Sequence, residues 1–131
     1  MSNYSAPLKD MQFVLRELAG IEQVAQLPGY EEAAPEVVEA ILEEAAKFAG
    51  GVLAPLNLSG DQQGAVWRDK SVTMPTGFKQ AYAQFAEAGW NGLSCEPEFG
   101  GQGLPKLVAA AVQEMWKASN MAFSLCPLLT L

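Results

Sequence analysis

Pro35-Glu36-Val37-Val38-Glu39-Ala40-Ile41-Leu42-Glu43-Glu44-Ala45-Ala46-Lys47-Phe48-Ala49 repeats Val38, Ile41, Leu42, Ala45 and Phe48 on one helical face, with Glu36, Glu39, Glu43 and Lys47 elsewhere. The pattern predicts an amphipathic helix over about 35–49 with its apolar stripe turned to a core. Glu43 and Lys47 stand four residues apart and are expected to pair, worth only about a few tenths of a kcal/mol. Gly50-Gly51 weakens the helix, although Val52 and Leu53 let it continue or resume before Pro55.

Working outward, Met11, Val14, Leu15 and Leu18 predict a first helix from Pro7 to Leu18 with Gly20 as its stop, and 21–26 adds one further turn before Pro28-Gly29 breaks the chain. On the other side, residues 57–74 turn to Gly, Asp, Gln, Ser and Thr with scattered apolar residues, which reads as a connecting loop. Phe78, Ala81, Tyr82, Phe85 and Ala86 then mark a helix opened near Pro75-Thr76 and closed at Gly89. Val108, Ala111, Val112, Met115 and Trp116 mark another from Pro105 to about Ala118. Ser119 or Asn120 caps a final helix containing Met121, Phe123, Leu125 and Leu128, an apolar run reaching Leu131. No segment alternates with period two. The fold class is therefore all-α: a helical bundle or orthogonal array of about five helices in one folding unit.

Composition narrows the functions. In 131 residues, 50% are hydrophobic and 18% charged, the balance of a folded chain. Fifteen acidic against eight dispersed basic residues give a net charge of -7, which disfavours nucleic acid and anionic lipid. The absence of histidine removes the commonest general base and metal ligand, and with them Ser-His and Cys-His nucleophiles. Adjacent carboxylates such as Glu31-Glu32 and Glu43-Glu44 do not face one another on a helix and read as solvated charge. Cys95 and Cys126 are too few for a disulfide framework, read as small buried hydrophobes, and point to a reducing, cytoplasmic compartment. No apolar stretch approaches the roughly 20 residues of a membrane span. Trp67, Trp90 and Trp116 are expected in a core or interface rather than stacked on a ligand.

The run Glu96-Pro97-Glu98-Phe99-Gly100-Gly101-Gln102-Gly103 invites a phosphate-binding reading. It lacks the Lys-Ser/Thr of a P-loop, has Lys106 where a dinucleotide fingerprint needs glycine, and follows no strand, so a structural turn between helices is the better reading.

Together with Gly89-Trp90-Asn91-Gly92-Leu93-Ser94 before it and Leu104 after it, however, this run resembles the N-terminal helical domain of acyl-CoA dehydrogenases. Tyr4 to Met11, Phe13-Val14-Leu15, Leu53 to Asn57 and Gly60-Asp61 are similar to a longer bacterial subgroup acting on long-chain acyl-CoA or 3-methylmercaptopropionyl-CoA. The resemblance covers essentially the whole chain, 1–131. It implies that the chain is a fragment of an FAD-dependent enzyme that makes an α,β-double bond in an acyl-CoA thioester. In that family a glutamate of the C-terminal domain removes the α-proton and the β-hydrogen leaves as hydride to the flavin. The middle and C-terminal domains would then be the partners, FAD the cofactor of the full-length protein, and acyl-CoA its substrate. The fragment alone is expected to hold no flavin and to be inactive.

No catalytic, cofactor-binding or metal-binding residue is therefore carried over. The last helix borders the family's acyl pocket, which makes Phe123, Cys126 and Leu129 candidates to line it, beside an ordinary role in core packing. An exposed apolar surface is expected near Met121 to Leu131, covered by the missing domains or in a homo-oligomer. Two alternatives stand beside this reading: a free-standing helical interaction module, and a small acyl or acyl-CoA carrier.

Overall fold

Pro35 opens the longest helical run in the computed structural model, which describes residues 3–129. Helix α1 spans Leu8–Phe13 and passes into a π turn at Val14–Leu18; α2 is Ile21–Ala25. Met11 and Leu15 are buried as expected, but Leu18 is 73% exposed. The π turn holds one more residue than an α turn, so Leu18 falls out of the Met11–Leu15 stripe.

Helix α3, Pro35–Phe48, begins on proline, whose missing N–H costs nothing in a first turn. Val38, Leu42 and Ala45 are buried, with Ile41 and Phe48 half-buried beside them. Lys47 pairs at 2.6 Å with Glu44 rather than with Glu43, three residues away instead of four. Glu44 raises the Lys47 pKa by hydrogen bond and charge, and Glu43 contributes only a weaker electrostatic pull. Arg16 ties α3 to the first helical segment through Glu39.

The chain does not stop at Gly50-Gly51. A π turn, Ala49–Leu53, carries it into α4, Ala54–Gln63, with Ala54 N–H donating to the Ala49 carbonyl. This wide turn accommodates Pro55, which has no N–H and would crowd the carbonyl four residues back in a regular helix. Helix α4 overturns the reading of residues 57–74 as loop. Its polar sequence has no apolar face, so periodicity could not reveal it; it continues a helix already formed. After it comes a second departure, a two-stranded antiparallel ribbon of β1, Val66–Arg68, and β2, Ser71–Thr73, with Trp67 opposite Val72. Asp69 and Lys70 both take positive φ (50° and 63°), the conformation a tight two-residue hairpin requires.

Helix α5, Phe78–Glu87, is aimed by Gly77, at φ +91°, where a Cβ would lie 2.6 Å from Leu56. Gln63 Oε1 accepts the Thr76 N–H at 2.9 Å, closing the base of the ribbon. Helix α6, Lys106–Ser119, buries Val108, Ala109, Val112, Met115, Trp116 and Ser119, and packs against α3 and the π turn after it. Helix α7, Met121–Leu128, follows after Asn120 alone. The core is knitted by rings: Phe85 meets Phe48, Trp116 and Phe123 at centroid distances of 6.1, 5.7 and 5.5 Å. Among the described residues no helix is long and apolar enough to cross a membrane.

Candidate functional site

A groove of about 630 Å³ opens between the ribbon, α5 and α7. Phe78, Tyr82 and Phe123 line its base; Val72, Thr73 and Met74 stand on the ribbon side, Ala122 and Cys126 on the α7 side. Phe123 is set by core packing as well, 6.3 Å from each of the Phe78 and Tyr82 rings. Two of the three residues singled out from the sequence, Phe123 and Cys126, thus meet at one groove. Leu129, 82% exposed, is not among its lining residues.

Such a groove can hold an elongated apolar group. Its polar lining is Thr73, Thr76, Lys79 and Gln80 with the Tyr82 hydroxyl and the Cys126 thiol, and none of the described residues that line it is a carboxylate. Among the described residues no group of three His, Cys, Asp or Glu side chains gathers as a metal site. Sequence reasoning missed the ribbon side entirely, because it lay in the stretch read as loop. The Asp-Lys pair in the hairpin turn is a weaker signal than Asn-Gly, and both strand faces are exposed, so neither turn chemistry nor alternation announced it.

The glycine-rich turn is a structural one. Phe99, Gly100 and Gly101 N–H groups donate to Glu96 or Pro97, and Gln102, Gly103 and Leu104 donate back to Gly92, Cys95 and Leu93. Those amides are spent within the fold and cannot cradle a phosphate. Gly101 is required by crowding, since a Cβ there would sit 2.1 Å from the Cys95 carbonyl oxygen. Both cysteines are exposed, contrary to their reading as buried hydrophobes: Cys95 lies in this turn and Cys126 on the groove side of α7. The tryptophans divide. Trp116 is buried with Trp90 against it at 5.2 Å, whereas Trp67 is 71% exposed on the ribbon.

Beyond the groove, Met121 and Leu125 on α7 and Leu129 just after it recur at every fourth position with exposures of 51, 47 and 82%, an apolar stripe left exposed among the described residues, where an exposed apolar surface was expected. Thr130 and Leu131, the end of that expected surface, lie outside the described residues.

The described residues thus form a helical array with an apolar groove and an exposed apolar flank beside it. Residues 35–130 match the family model described as acyl-CoA dehydrogenase, N-terminal domain, and the chain belongs to that family. It is 43% identical over 127 residues to the 3-methylmercaptopropionyl-CoA dehydrogenase of Ruegeria pomeroyi, covering 97% of this chain and 22% of that protein. It is 28% identical over 124 residues to the broad-specificity linear acyl-CoA dehydrogenase FadE5 of Mycobacterium tuberculosis, covering 93% of this chain and 20% of that one. The chain spans about a fifth of the length of these curated relatives.

The glycine-turn amides are occupied, and the groove is apolar with Lys79 as the cation among its lining residues.

Proposed function

We propose that this chain, 1–131, is the N-terminal helical domain of a cytoplasmic FAD-dependent acyl-CoA dehydrogenase that introduces an α,β-double bond into an acyl-CoA thioester. The observation that carries the reading is the likeness of nearly the whole chain to two dehydrogenases of which it covers only 22% and 20%. Under this reading the flavin and the catalytic base belong to the middle and C-terminal domains. This chain contributes apolar surface: the groove, with Phe123 and Cys126 against the acyl chain, and the Met121–Leu125–Leu129 stripe, with Leu129 facing the neighbouring domain rather than the groove. The two free cysteines accord with a reducing compartment. Covering the stripe, by the other domains or in a homo-oligomer, removes apolar area from water at about 25 cal/mol per Å².

The test compares the product of the complete natural gene with the 131-residue chain, by mass, visible absorbance and oxidation of acyl-CoA thioesters. A longer, yellow product that oxidises acyl-CoA, beside a colourless inactive 131-residue chain, is the expected result. A natural product that ends at Leu131, binds no flavin and oxidises no acyl-CoA would overturn it.

A further inference from the structure

The connection between α6 and α7 is a single residue, Asn120, and its side chain is fully buried. Oδ1 accepts the Phe123 N–H at 3.0 Å, the usual bond of a helix N-cap. Nδ2 donates at 3.1 Å to the carbonyl of Leu53, 67 residues away, where the π turn passes into α4. Capping alone explains neither the burial nor the amide, because Ser, Thr or Asp would supply the acceptor as well. A hydroxyl carries its donor and acceptor on one atom, and an ionised carboxylate has no donor. Only the amide presents an acceptor and a separate donor on one short planar group, so it alone can hold both partners at once.

What these bonds hold is the short helix that forms one side of the groove. Of the eight residues of α7, Phe123, Ser124 and Pro127 are buried, and Ser124 spends its hydroxyl on the Met121 carbonyl of its own helix. The residue whose amide Asn120 caps, Phe123, is also the one whose ring lies at the base of the groove, with Ala122 and Cys126 beside it. We infer that Asn120 is a positioning residue: it fixes the first turn of α7 against the π turn of the long helix and so sets the groove width that selects an apolar ligand by length and girth. The selectivity half of this inference rests on the reading of the groove as part of an acyl-CoA dehydrogenase; the clamp itself does not.

Asn120→Asp and Asn120→Ser keep the capping acceptor and lose the tie to Leu53. Ser119→Ala is the control, removing a buried hydroxyl that bonds only to Met115 and Trp116 of its own helix. Amide hydrogen exchange on the 131-residue chain reads the clamp directly. Exchange at the α7 amides is expected to quicken about tenfold or more in both Asn120 variants, with the α6 amides Val108 to Met115 unchanged. Uniform loss of protection along the chain, or none, would overturn the clamp.

Selectivity is read on the full gene product as kcat/KM across straight-chain acyl-CoA thioesters of increasing length. The ratio between long and short substrates is expected to move by about tenfold in the Asn120 variants and to hold in Ser119→Ala. A wild-type product that oxidises no acyl-CoA overturns the dehydrogenase reading and the selectivity with it, whereas an active wild type with an unchanged variant profile overturns the selectivity alone.

Discussion

Helix α6 buries six of its fourteen residues, while the ribbon β1–β2 leaves all six of its residues exposed and α7 turns Met121 and Leu125 outward, with Leu129 after it. The first region is satisfied within the chain, because its apolar stripe meets α3 and the rings of Phe48, Phe85 and Trp90. The second also carries apolar side chains, and among the described residues Trp67, Val72, Met121 and Leu125 stay exposed. Local sequence therefore makes apolar faces in both places, and only tertiary packing separates a core from an exposed face.

The comparison breaks most visibly at Phe85, which is 1% exposed and touches four other rings. Phe85→Ala is expected to cost about 3–5 kcal/mol in urea unfolding, the usual range for emptying a core aromatic site. A loss under about 1 kcal/mol would show that this core is no better packed than the groove.

Gly60 sits at the border of the two regions, buried on α4, where a Cβ would lie 2.6 Å from the Phe78 ring. Replacing glycine by alanine within a helix gains up to about 1 kcal/mol, while overpacking costs about 1–3 kcal/mol. Phe78 lines the groove and has open space on that side, so the ring can yield. The expected result for Gly60→Ala is a net loss near 1 kcal/mol with the ring displaced into the groove, checked by unfolding and a crystal structure.

Trp67 tests the other extreme. Trp67→Ala is expected to change stability by no more than about 0.5 kcal/mol despite removing an indole, since an exposed site away from caps and bonds is tolerant. A larger loss would place the ribbon among the elements that hold the fold.

Smallest is an alkaline effect on the core side alone. Burial, with the Glu114 charge nearby, raises the Tyr4 pKa above the ordinary tyrosine value. The folded chain therefore holds that proton more tightly, so the contribution is complete below the ordinary value and lost as pH rises through the raised one. Tyr4→Phe should flatten stability in that alkaline window and leave it unchanged at neutral pH, as thermal melts across pH would show.

Most of the helical frame was legible because α3, α5 and α6 each carry large apolar residues at positions three and four apart. Val38 with Leu42 and Val108 with Val112 mark the buried face without tertiary knowledge. Helix α4 escaped because Asn57, Ser59, Gly60, Asp61 and Gln62 give it no face; it exists by continuation of α3 through the π turn. Half of the groove was legible, from the apolar α7. Its ribbon side was not, because a strand pair exposed on both faces lacks the alternation that burial imposes. Asn120 was readable as a cap from its place before an apolar run. Its bond to Leu53 was not, since nothing local links positions 67 residues apart.

The ribbon leaves α4 and returns to α5 at a base closed by the bond from the Thr76 N–H to Gln63 Oε1, and all six of its residues stay exposed. Its length and composition can therefore drift over generations without disturbing the packing that folds the chain. Because Val72 and Thr73 also flank the groove, each such change remodels one of its walls at little cost to stability. The ribbon is thus a place where this scaffold can be reshaped while the ring cluster around Phe85 is left as it is.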